Sequence, residues 1–526
     1  MLDVLPLTPN GKIDRRSLEN LVDDQPTTSN IQLPKTDDEK LLASIWSEVL
    51  KVKQVGIHDN FFELGGHSLQ AAQLISKIVS ATNINISLKQ LFLYPTIAQL
   101  ADLLKKSAHK YNFIEPSNES FSEKSTTSIT SPYFQQECRS LQSLLLTKEI
   151  PPVHAAALGY LPNFILEQTD LNQEQIFEQW FNNLPVIQNI LDTAWGRIAL
   201  LILPRLSSEL YNDTDDFVNM IIGALKIAGQ IGASTVSLTG IIPSATDYGR
   251  AITKVTANHN LPQITTGHST TSATVVLTIQ RILQESGREI TKERVGVIGL
   301  GSIGLSSLCL MLKCLLHPVE LILCDLYSKK EFLEDIRTKL VDELDFHGKI
   351  QLLFSKIELP TEIYNATLIV GATNVPDVFD INKVKSGTLI VDDSGPHCFK
   401  SELAIKRFQE HQDILFTEGG VLKSPQPISG LMYFPHHLER SLKNKQIEEL
   451  FNKHNPFEIT GCVFSSLLSA SFENLKPTVG FVQLDESMKY YETLTSLGFQ
   501  AADLHCKNYV LPNEAISYFR ENFGNS

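Results

Sequence analysis

Cysteine is scarce: seven residues in 526, an odd number, scattered, with no Cys-x-x-Cys pair. That excludes a disulfide-stapled scaffold and the paired-cysteine zinc modules, and points to a reducing compartment. Basic residues are outnumbered, 45 Lys and Arg against 59 Asp and Glu, for a formal net charge of −14. So acidic a chain is ill suited to gripping a phosphate backbone, and no nucleic-acid partner is expected. The opening Met1-Leu2-Asp3-Val4-Leu5-Pro6 lacks a basic stretch followed by an apolar run, so no secretory leader is visible and a cytoplasmic location is expected. Long uncharged runs are rare as well. Val295 to Leu312 is long enough to suggest a membrane span. Its four glycines and three serines, directly after Thr291-Lys292-Glu293-Arg294, fit a buried strand–turn–helix better, and no membrane partner is expected.

The rest of the composition is that of a globular chain, 42% hydrophobic and 20% charged. At about 150 residues per domain, three or four folding units are expected. Residues 1–34 are rich in turn signals (Pro6, Pro9-Asn10-Gly11, Pro26, Pro34). Residues 36–106 read as a compact helical unit, opened by the capping box Thr36-Asp37-Asp38-Glu39 and continued by apolar pairs at helical spacing. Residues 107–150 are polar and Ser/Thr-rich and read as a flexible linker. From 151 to 526 short apolar runs such as Thr367-Leu368-Ile369-Val370 and Thr388-Leu389-Ile390-Val391 alternate with helical patterns. That alternation predicts a parallel sheet covered on both faces.

The most specific signal is Asp59-Asn60-Phe61-Phe62-Glu63-Leu64-Gly65-Gly66-His67-Ser68-Leu69. The glycine pair allows a tight turn, and apolar residues at Ala71, Leu74, Ile75 and Ile78 predict a helix after it. From the residues alone, Ser68 is an accessible hydroxyl at an anion-friendly helix start, or simply the cap of that helix. The stretch from about Asp37 to Leu104 resembles the peptidyl carrier proteins of nonribosomal peptide synthetases. The resemblance implies a small all-α bundle with no catalysis of its own. It also implies 4′-phosphopantetheine on Ser68, installed by a phosphopantetheinyl transferase, whose thiol holds an acyl group as a thioester. Upstream, Leu5-Pro6-Leu7-Thr8-Pro9-Asn10-Gly11-Lys12-Ile13-Asp14-Arg15-Arg16 resembles the last motif of an adenylation domain. Residues 1–34 are then the tail of such a domain, and upstream adenylation modules are expected partners. Lys12, without the pocket it would serve, reads as a solvated loop residue.

A second signal is Val295-Gly296-Val297-Ile298-Gly299-Leu300-Gly301-Ser302-Ile303-Gly304, a strand running into G-x-G-x-x-G and a helix. Gly299 makes the turn, Gly301 lets a pyrophosphate approach, and Gly304 permits close helix–strand packing. Ser302 and Ile303, inside the motif, are assigned to the cofactor with the glycines, and the helix is expected over Leu305 to Leu316. Another apolar strand ends at Asp325, about 20 residues past Gly304, where an acidic residue holds the ribose hydroxyls. This combination predicts NADH or NADPH binding. The plain alternative is a degenerate dinucleotide fold that keeps its glycines for packing. Asp325 favours NADH, while Ser328-Lys329-Lys330 beside it suits the phosphate of NADPH, so both stay open.

The wider zone from about Asp192 to Leu504 distantly resembles the cyanobacterial-type acyl-(acyl-carrier-protein) reductases. The resemblance rests on Ile264-Thr265-Thr266-Gly267-His268-Ser269-Thr270-Thr271, the glycine turn, Leu368-Ile369-Val370-Gly371-Ala372-Thr373-Asn374, Ile390-Val391-Asp392-Asp393-Ser394-Gly395-Pro396 and Glu418-Gly419-Gly420-Val421. It implies a substrate-binding domain over 151–265, a Rossmann domain over 266–440, and a helical region over 441–526 packing back on the former. Thr266 to Thr271 would open a helix near the cofactor, where His268 either polarises a thioester carbonyl or protonates a product, or is a cap-region histidine with no chemical role. Gly371 to Asn374 would lie by the nicotinamide, which assigns Thr373 and Asn374 to the cofactor. The family's nucleophilic cysteine, a few residues after the Gly-Gly-Val turn, falls at about Pro425, which has no nucleophile. Either hydride attacks the carrier-bound thioester directly, or Cys398 supplies the thiol with His397 beside it. His436-His437 lacks a third ligand at useful spacing, so no metal is expected.

The expected fold is therefore multidomain: an all-α carrier bundle plus an α/β Rossmann-type dehydrogenase with an adjoining α/β substrate-binding domain. The expected function is nicotinamide-dependent reduction of a tethered aminoacyl or peptidyl thioester to an aldehyde. Two alternatives stand beside it: redox chemistry on the tethered acyl group with the thioester intact, and a Rossmann module that only recruits partners.

Overall fold

Thr36 opens the first helix by the predicted capping box. Its Oγ1 accepts from the Glu39 amide at 3.2 Å, and Glu39 Oε2 accepts from Thr36 N at 2.9 Å. The computed structural model describes parts of 32–103, and 133–355, 359–434 and 455–524. The chain divides into two compact units, Met1–Ser125 and Thr126–Ser526. In the first, helix α1 (Asp37–Leu50) turns Leu42, Ile45, Trp46 and Val49 into a core shared with Val55, Ile57, Phe61, Leu74, Ile78, Leu91, Ile97 and Leu100. Trp46 meets Phe61 edge-on, ring centroids 5.2 Å apart. Residues 1–31, Gly65, Gly66, His67 and Ser68 lie outside the described residues.

The second unit holds two large sheets. The chain enters through β1 (Phe134–Glu137), α2 (Leu141–Leu146), β2 (Ala155–Leu161), β3 (Val186–Thr193), β4 (Gly196–Leu206), α3 (Thr214–Gln230), β5 (Thr235–Leu238) and β6 (Gln263–Thr265). Helix α4 (His268–Ser286) leads into β7 (Arg294–Ile298), α5 (Ser302–Cys314), β8 (Glu320–Leu326), α6 (Lys330–Asp342), β9 (Lys349–Ser355), β10 (Leu368–Gly371), β11 (Thr388–Asp392), α7 (Ser401–His411) and β12 (Ile414–Glu418). The chain ends through β13 (Val421–Lys423), β14 (Ser429–Tyr433), β15 (Glu458–Thr460), α8 (Gly461–Ser471), α9 (Leu484–Ser496), β16 (Gln500–Ala501), β17 (His505–Cys506), β18 (Tyr509–Val510) and α10 (Asn513–Phe523).

Strands β7 to β12 form a six-stranded sheet in the order β12-β11-β10-β7-β8-β9, every pair parallel. Numbered from β7, this is the doubly wound order 3-2-1-4-5-6, which opens a crevice between β7 and β10. Strands β10 and β11 are buried along their whole length, as the continuous apolar runs predict for strands covered on both faces. The uncharged run from Val295 resolves into β7, a turn and α5. Among the described residues no helix is long and apolar enough to cross a membrane.

The other sheet has the order β1-β14-β3-β4-β2-β5-β6 and is mixed. Strands β4, β2, β5 and β6 run parallel, while β3 is antiparallel to β4 and to β14. Three sequence expectations shift here. Residues 133–150, assigned to the linker, contain β1 and α2. Strand β1 pairs with β14 from Phe134 with Gly430 to Glu137 with Tyr433, and α2 buries Leu141, Leu144 and Leu145. Strand β14, assigned to the Rossmann domain, belongs to this other sheet. The C-terminal helices do not pack on the substrate side alone. Helix α8 packs on β2, β4 and β5, but α9 packs on α4 and α5, and α10 on α4 and β12. Helix α4 packs on β11 and β12 of the six-stranded sheet and on α5, α8, α9 and α10, and carries fourteen buried residues, among them Ala273, Val276 and Ile279.

Candidate functional site

The crevice opens into a cavity of about 720 Å³ whose walls come from both sheets and from α8. One wall is the glycine turn. Gly299 has φ +87°, and a Cβ there would lie 2.5 Å from the Ala372 carbonyl oxygen. A Cβ on Gly304 would run into the Gly299 carbonyl, so Gly304 seats α5 against the turn rather than lining the cavity. Gly301 differs: among the described residues a Cβ there meets nothing nearer than Tyr248 Oη at 3.6 Å, and the position faces open space. Among the described residues no side chain caps the first amides of α5, and Ser302 and Ile303 line the cavity. Uncapped amides at the positive end of a helix suit an anion.

Asp325, at the end of β8, is held in place. It accepts from Leu300 N at 2.9 Å and Leu326 N at 2.7 Å, and pairs with Lys329 Nζ at 2.9 Å. After β10, the Thr373 amide donates to Ser394 Oγ at 3.1 Å and Asn374 Nδ2 donates to Tyr211 Oη at 3.2 Å. Both line the cavity. Seven residues singled out from the sequence, Gly299, Gly301, Ser302, Ile303, Asp325, Thr373 and Asn374, line this cavity. The set fits a nicotinamide dinucleotide, with a side-chain-free approach at Gly301, free amides for a pyrophosphate and a fixed carboxylate for ribose hydroxyls.

The cavity is also lined by His268 and Cys462. His268 is the first residue of α4, turned inward by Gly267 at φ +73°. It meets Tyr248 edge-on at 5.9 Å, and its Nδ1 is buried with no partner among the described residues. Burial pulls its pKa down to about 4, so the imidazole is neutral at physiological pH. Cys462 is the second residue of α8 and packs on Gly267, where a Cβ would lie 2.8 Å from Cys462 Cα. Its Sγ is 3.7 Å from Thr460 Oγ1, and burial pushes the thiol pKa up.

Cys462 was missed from sequence. The available signal was Thr460-Gly461-Cys462, a cysteine entering an apolar helix pattern at Val463, Phe464, Leu467 and Leu468. The expectation for Cys398 is corrected. It is fully buried, does not line the cavity, and burial followed by the Asp392 charge pushes its pKa well up. Its neighbour His397 does line the cavity.

A third corner gathers acids and imidazoles. Asp392, at the end of β11, accepts from Ser394 N at 3.1 Å, Cys398 N at 3.2 Å and His397 Nδ1 at 2.9 Å. His397 Nε2 lies 3.4 Å from Glu418 Oε1. Burial opposes charge on His397, but bonds to Asp392, Cys506 and Glu418 prevail and raise its pKa to about 12. Asp393 also borders the cavity. Burial, then the charges of Asp392 and Glu418, push its carboxyl well above the ordinary range.

Comparison with known proteins bears on the first unit. Residues 40–104 match the family model described as phosphopantetheine attachment site, a span that includes Ser68. Gramicidin S synthase 2 of Brevibacillus brevis is 48% identical over 113 residues, which is 22% of this chain and 2% of that protein. The chain therefore spans a few per cent of the curated relatives it matches. A solved carrier, described as a prototype for the peptidyl carrier domains of modular peptide synthetases, is 42% identical and covers 14% of this chain and 95% of its own, with a TM-score of 0.13. The Δ1-pyrroline-2-carboxylate reductase of Thermococcus litoralis, solved with NADH and L-proline, is 13% identical over 24% of this chain and 36% of its own. Its TM-score of 0.19 is too low to bear on cofactor or reaction. Residues 40–104 are a phosphopantetheine-type carrier domain with relatives among the nonribosomal peptide synthetases.

Proposed function

We propose that Ser68 carries 4′-phosphopantetheine and delivers an aminoacyl or peptidyl thioester to the cavity of the second unit, where it is reduced and released as an aldehyde. The observation that carries this reading is a single cavity lined both by the glycine turn and Asp325 and by Cys462 and His268. An upstream adenylation module would load the arm, after a phosphopantetheinyl transferase has installed it. Residues 104–132 connect the described parts of the two units, and about 30 residues reach at most about 100 Å when extended.

Gly301 and the amides of Ser302 and Ile303 would hold the pyrophosphate of a reduced nicotinamide cofactor, and Asp325 its ribose hydroxyls. When bound, that cofactor supplies the hydride that takes the acyl carbon to the aldehyde level. The residues of the chain do the rest. Cys462 Sγ attacks the thioester carbonyl, and the bond to the pantetheine sulfur breaks. The thiol proton leaves on the departing sulfur, relayed through the neutral imidazole of His268. The low-dielectric wall around His268 disfavours a lasting imidazolium, so the proton stays there only in passing. The positive end of the α8 dipole, beside Cys462, would stabilise the charge that develops on the acyl oxygen. After release of the aldehyde, Cys462 regains its proton. The balance is thioester, reduced nicotinamide and a proton giving aldehyde, free pantetheine thiol and oxidised nicotinamide.

The test is to load Ser68 with an aminoacyl-pantetheine, add NADH or NADPH, and follow products by mass spectrometry. Free aldehyde and an emptied arm are expected. A loaded carrier unchanged under both cofactors, with the natural acyl group supplied, overturns the reading. So does an altered acyl group still attached to Ser68.

A further inference from the structure

His397, Glu418 and Cys506 come from three separate segments: the loop after β11, the end of β12, and β17. The structure brings one nitrogen, one carboxylate oxygen and one sulfur from them within 4.8 Å of one another. No spacing motif links positions this far apart in the chain. We propose that this cluster is a binding site for a zinc-type divalent cation, with three protein ligands and a fourth position open to the cavity.

Three features carry the inference. The first is spacing. Tetrahedral zinc, with ligand bonds of 2.0–2.3 Å, sets its ligand atoms about 3.3–3.6 Å apart. His397 Nε2 is 3.4 Å from Glu418 Oε1 and 3.9 Å from Cys506 Sγ, so one separation already fits, the second needs a few tenths of an ångström, and the third, Glu418 to Cys506, is within 4.8 Å and closes on binding. The second is orientation. His397 Nδ1 bonds Asp392 Oδ2 at 2.9 Å, and Asp392 is itself fixed by the amides of Ser394 and Cys398. That leaves Nε2 aimed at Glu418 and Cys506, the carboxylate–histidine arrangement that orients metal ligands. Glu418 is held the same way: Oε1 accepts from Lys507 N at 2.6 Å, and Oε2 lies 3.6 Å from His505 Nε2. His505 is steered in turn by its Nδ1 bond to the Asp503 carbonyl at 2.7 Å. The third is access. Cys506 is 1% exposed, while His397 and Glu418 line the cavity, so the ligands are anchored behind and the vacant coordination position faces the space in front.

The donor set of imidazole, carboxylate and thiolate selects a borderline-soft ion over magnesium or calcium. Zinc takes the cysteine as thiolate and the imidazole unprotonated at Nε2, so any proton on those two atoms leaves as the cation enters, and affinity is expected to rise with pH. The competing account is a purely structural ion-pair corner.

The full chain, stripped with a chelator and reloaded, decides between them. One equivalent of zinc is expected to survive gel filtration, as read by elemental mass spectrometry. Cobalt in its place is expected to show a thiolate-to-metal charge-transfer band. Cys506→Ser, nearly isosteric, is expected to lose that band and to weaken zinc by more than about 100-fold, and Asp392→Asn by about 10–100-fold. Cys462→Ser is expected to keep both metal and band. Circular dichroism establishes that each variant is folded. If the wild-type chain retains no stoichiometric zinc, or shows no thiolate band with cobalt, the site is refuted whatever the variants do. A folded Cys506→Ser chain that holds zinc as tightly as wild type refutes it equally.

Discussion

Lys329 Nζ lies 2.9 Å from Asp325 Oδ2, the same oxygen that accepts the Leu300 amide at 2.9 Å. One anion and one cation thus share the position beside the glycine turn where dinucleotides differ. The carboxylate suits two ribose hydroxyls and repels a 2′-phosphate; the ammonium does the reverse. Asp325→Asn is expected to weaken NADH about tenfold or more, the scale of one charged hydrogen bond, and to leave NADPH less affected. Lys329→Ala is expected to weaken NADPH more than NADH. Nicotinamide fluorescence titration reads both, and equal losses for the two cofactors in either variant would contradict the assignment.

Gly301 and Gly304 separate binding from packing. A Cβ at 301 meets ordinary contact with Tyr248 Oη at 3.6 Å, whereas one at 304 meets the Gly299 backbone. Gly301→Ala is expected to keep its melting temperature and lose dinucleotide affinity about tenfold or more, since the methyl stands where the pyrophosphate must come. Gly304→Ala is expected to cost about 1–3 kcal/mol of stability, because backbone cannot move aside as a side chain can. Thermal melts alongside cofactor titration check the contrast. A destabilised Gly301→Ala with unchanged affinity would reverse it.

What the sequence disclosed follows the range of the interactions involved. The glycine turn, the end of its strand and the start of its helix lie within ten residues, Val295 to Gly304, and each role is local; the capping box of Thr36 and Glu39 is local too. Cys462 beside Gly267, and Cys506 beside His397, are tertiary neighbours that no periodicity encodes. Strand β1 hid for a related reason. Phe134-Gln135-Gln136-Glu137 has one apolar residue and a half-exposed edge, so its strand state comes from pairing with Gly430 to Tyr433 rather than from its own pattern. Cys398 misled because adjacency to His397 in the chain says nothing of facing.

The two cysteines divide sharply in expected consequence. Cys462→Ser is expected to abolish aldehyde release while the loaded carrier persists, since a serine hydroxyl in that wall is a far weaker nucleophile toward a thioester. Cys398→Ala, which removes a fully buried side chain off the cavity, is expected to cost about 1 kcal/mol of stability with turnover within a few-fold of wild type. Single-turnover assays with the pre-loaded carrier distinguish them. Full release by Cys462→Ser would instead favour direct hydride attack on the carrier-bound thioester.

Acid sensitivity is expected to trace in part to Asp413. Arg407 grips it in a fork, Nε to Oδ1 at 3.0 Å and Nη2 to Oδ2 at 2.7 Å, and Ser386 Oγ donates at 2.7 Å. Burial pushes the carboxyl pKa upward, but the bonds from Arg407 and Ser386 outweigh it, and the folded value lies below the ordinary one. A carboxylate depressed on folding contributes stability above its unfolded pKa of about 3.9, and that contribution disappears as the pH falls through the folded value. Asp413→Asn is expected to cost about 3 kcal/mol at neutral pH, the low end for a broken buried pair. The loss stays at that end because Arg407 keeps the Ile381 and Val384 carbonyls at 2.6 Å and 3.0 Å. The gap between wild type and variant is then expected to narrow below about pH 4. Other carboxylates titrate equally in both proteins, so the difference isolates this one. Denaturant midpoints at neutral and acid pH measure it, and two curves that stay parallel down to the acid limit would show that the fork does not set the carboxyl's affinity for its proton.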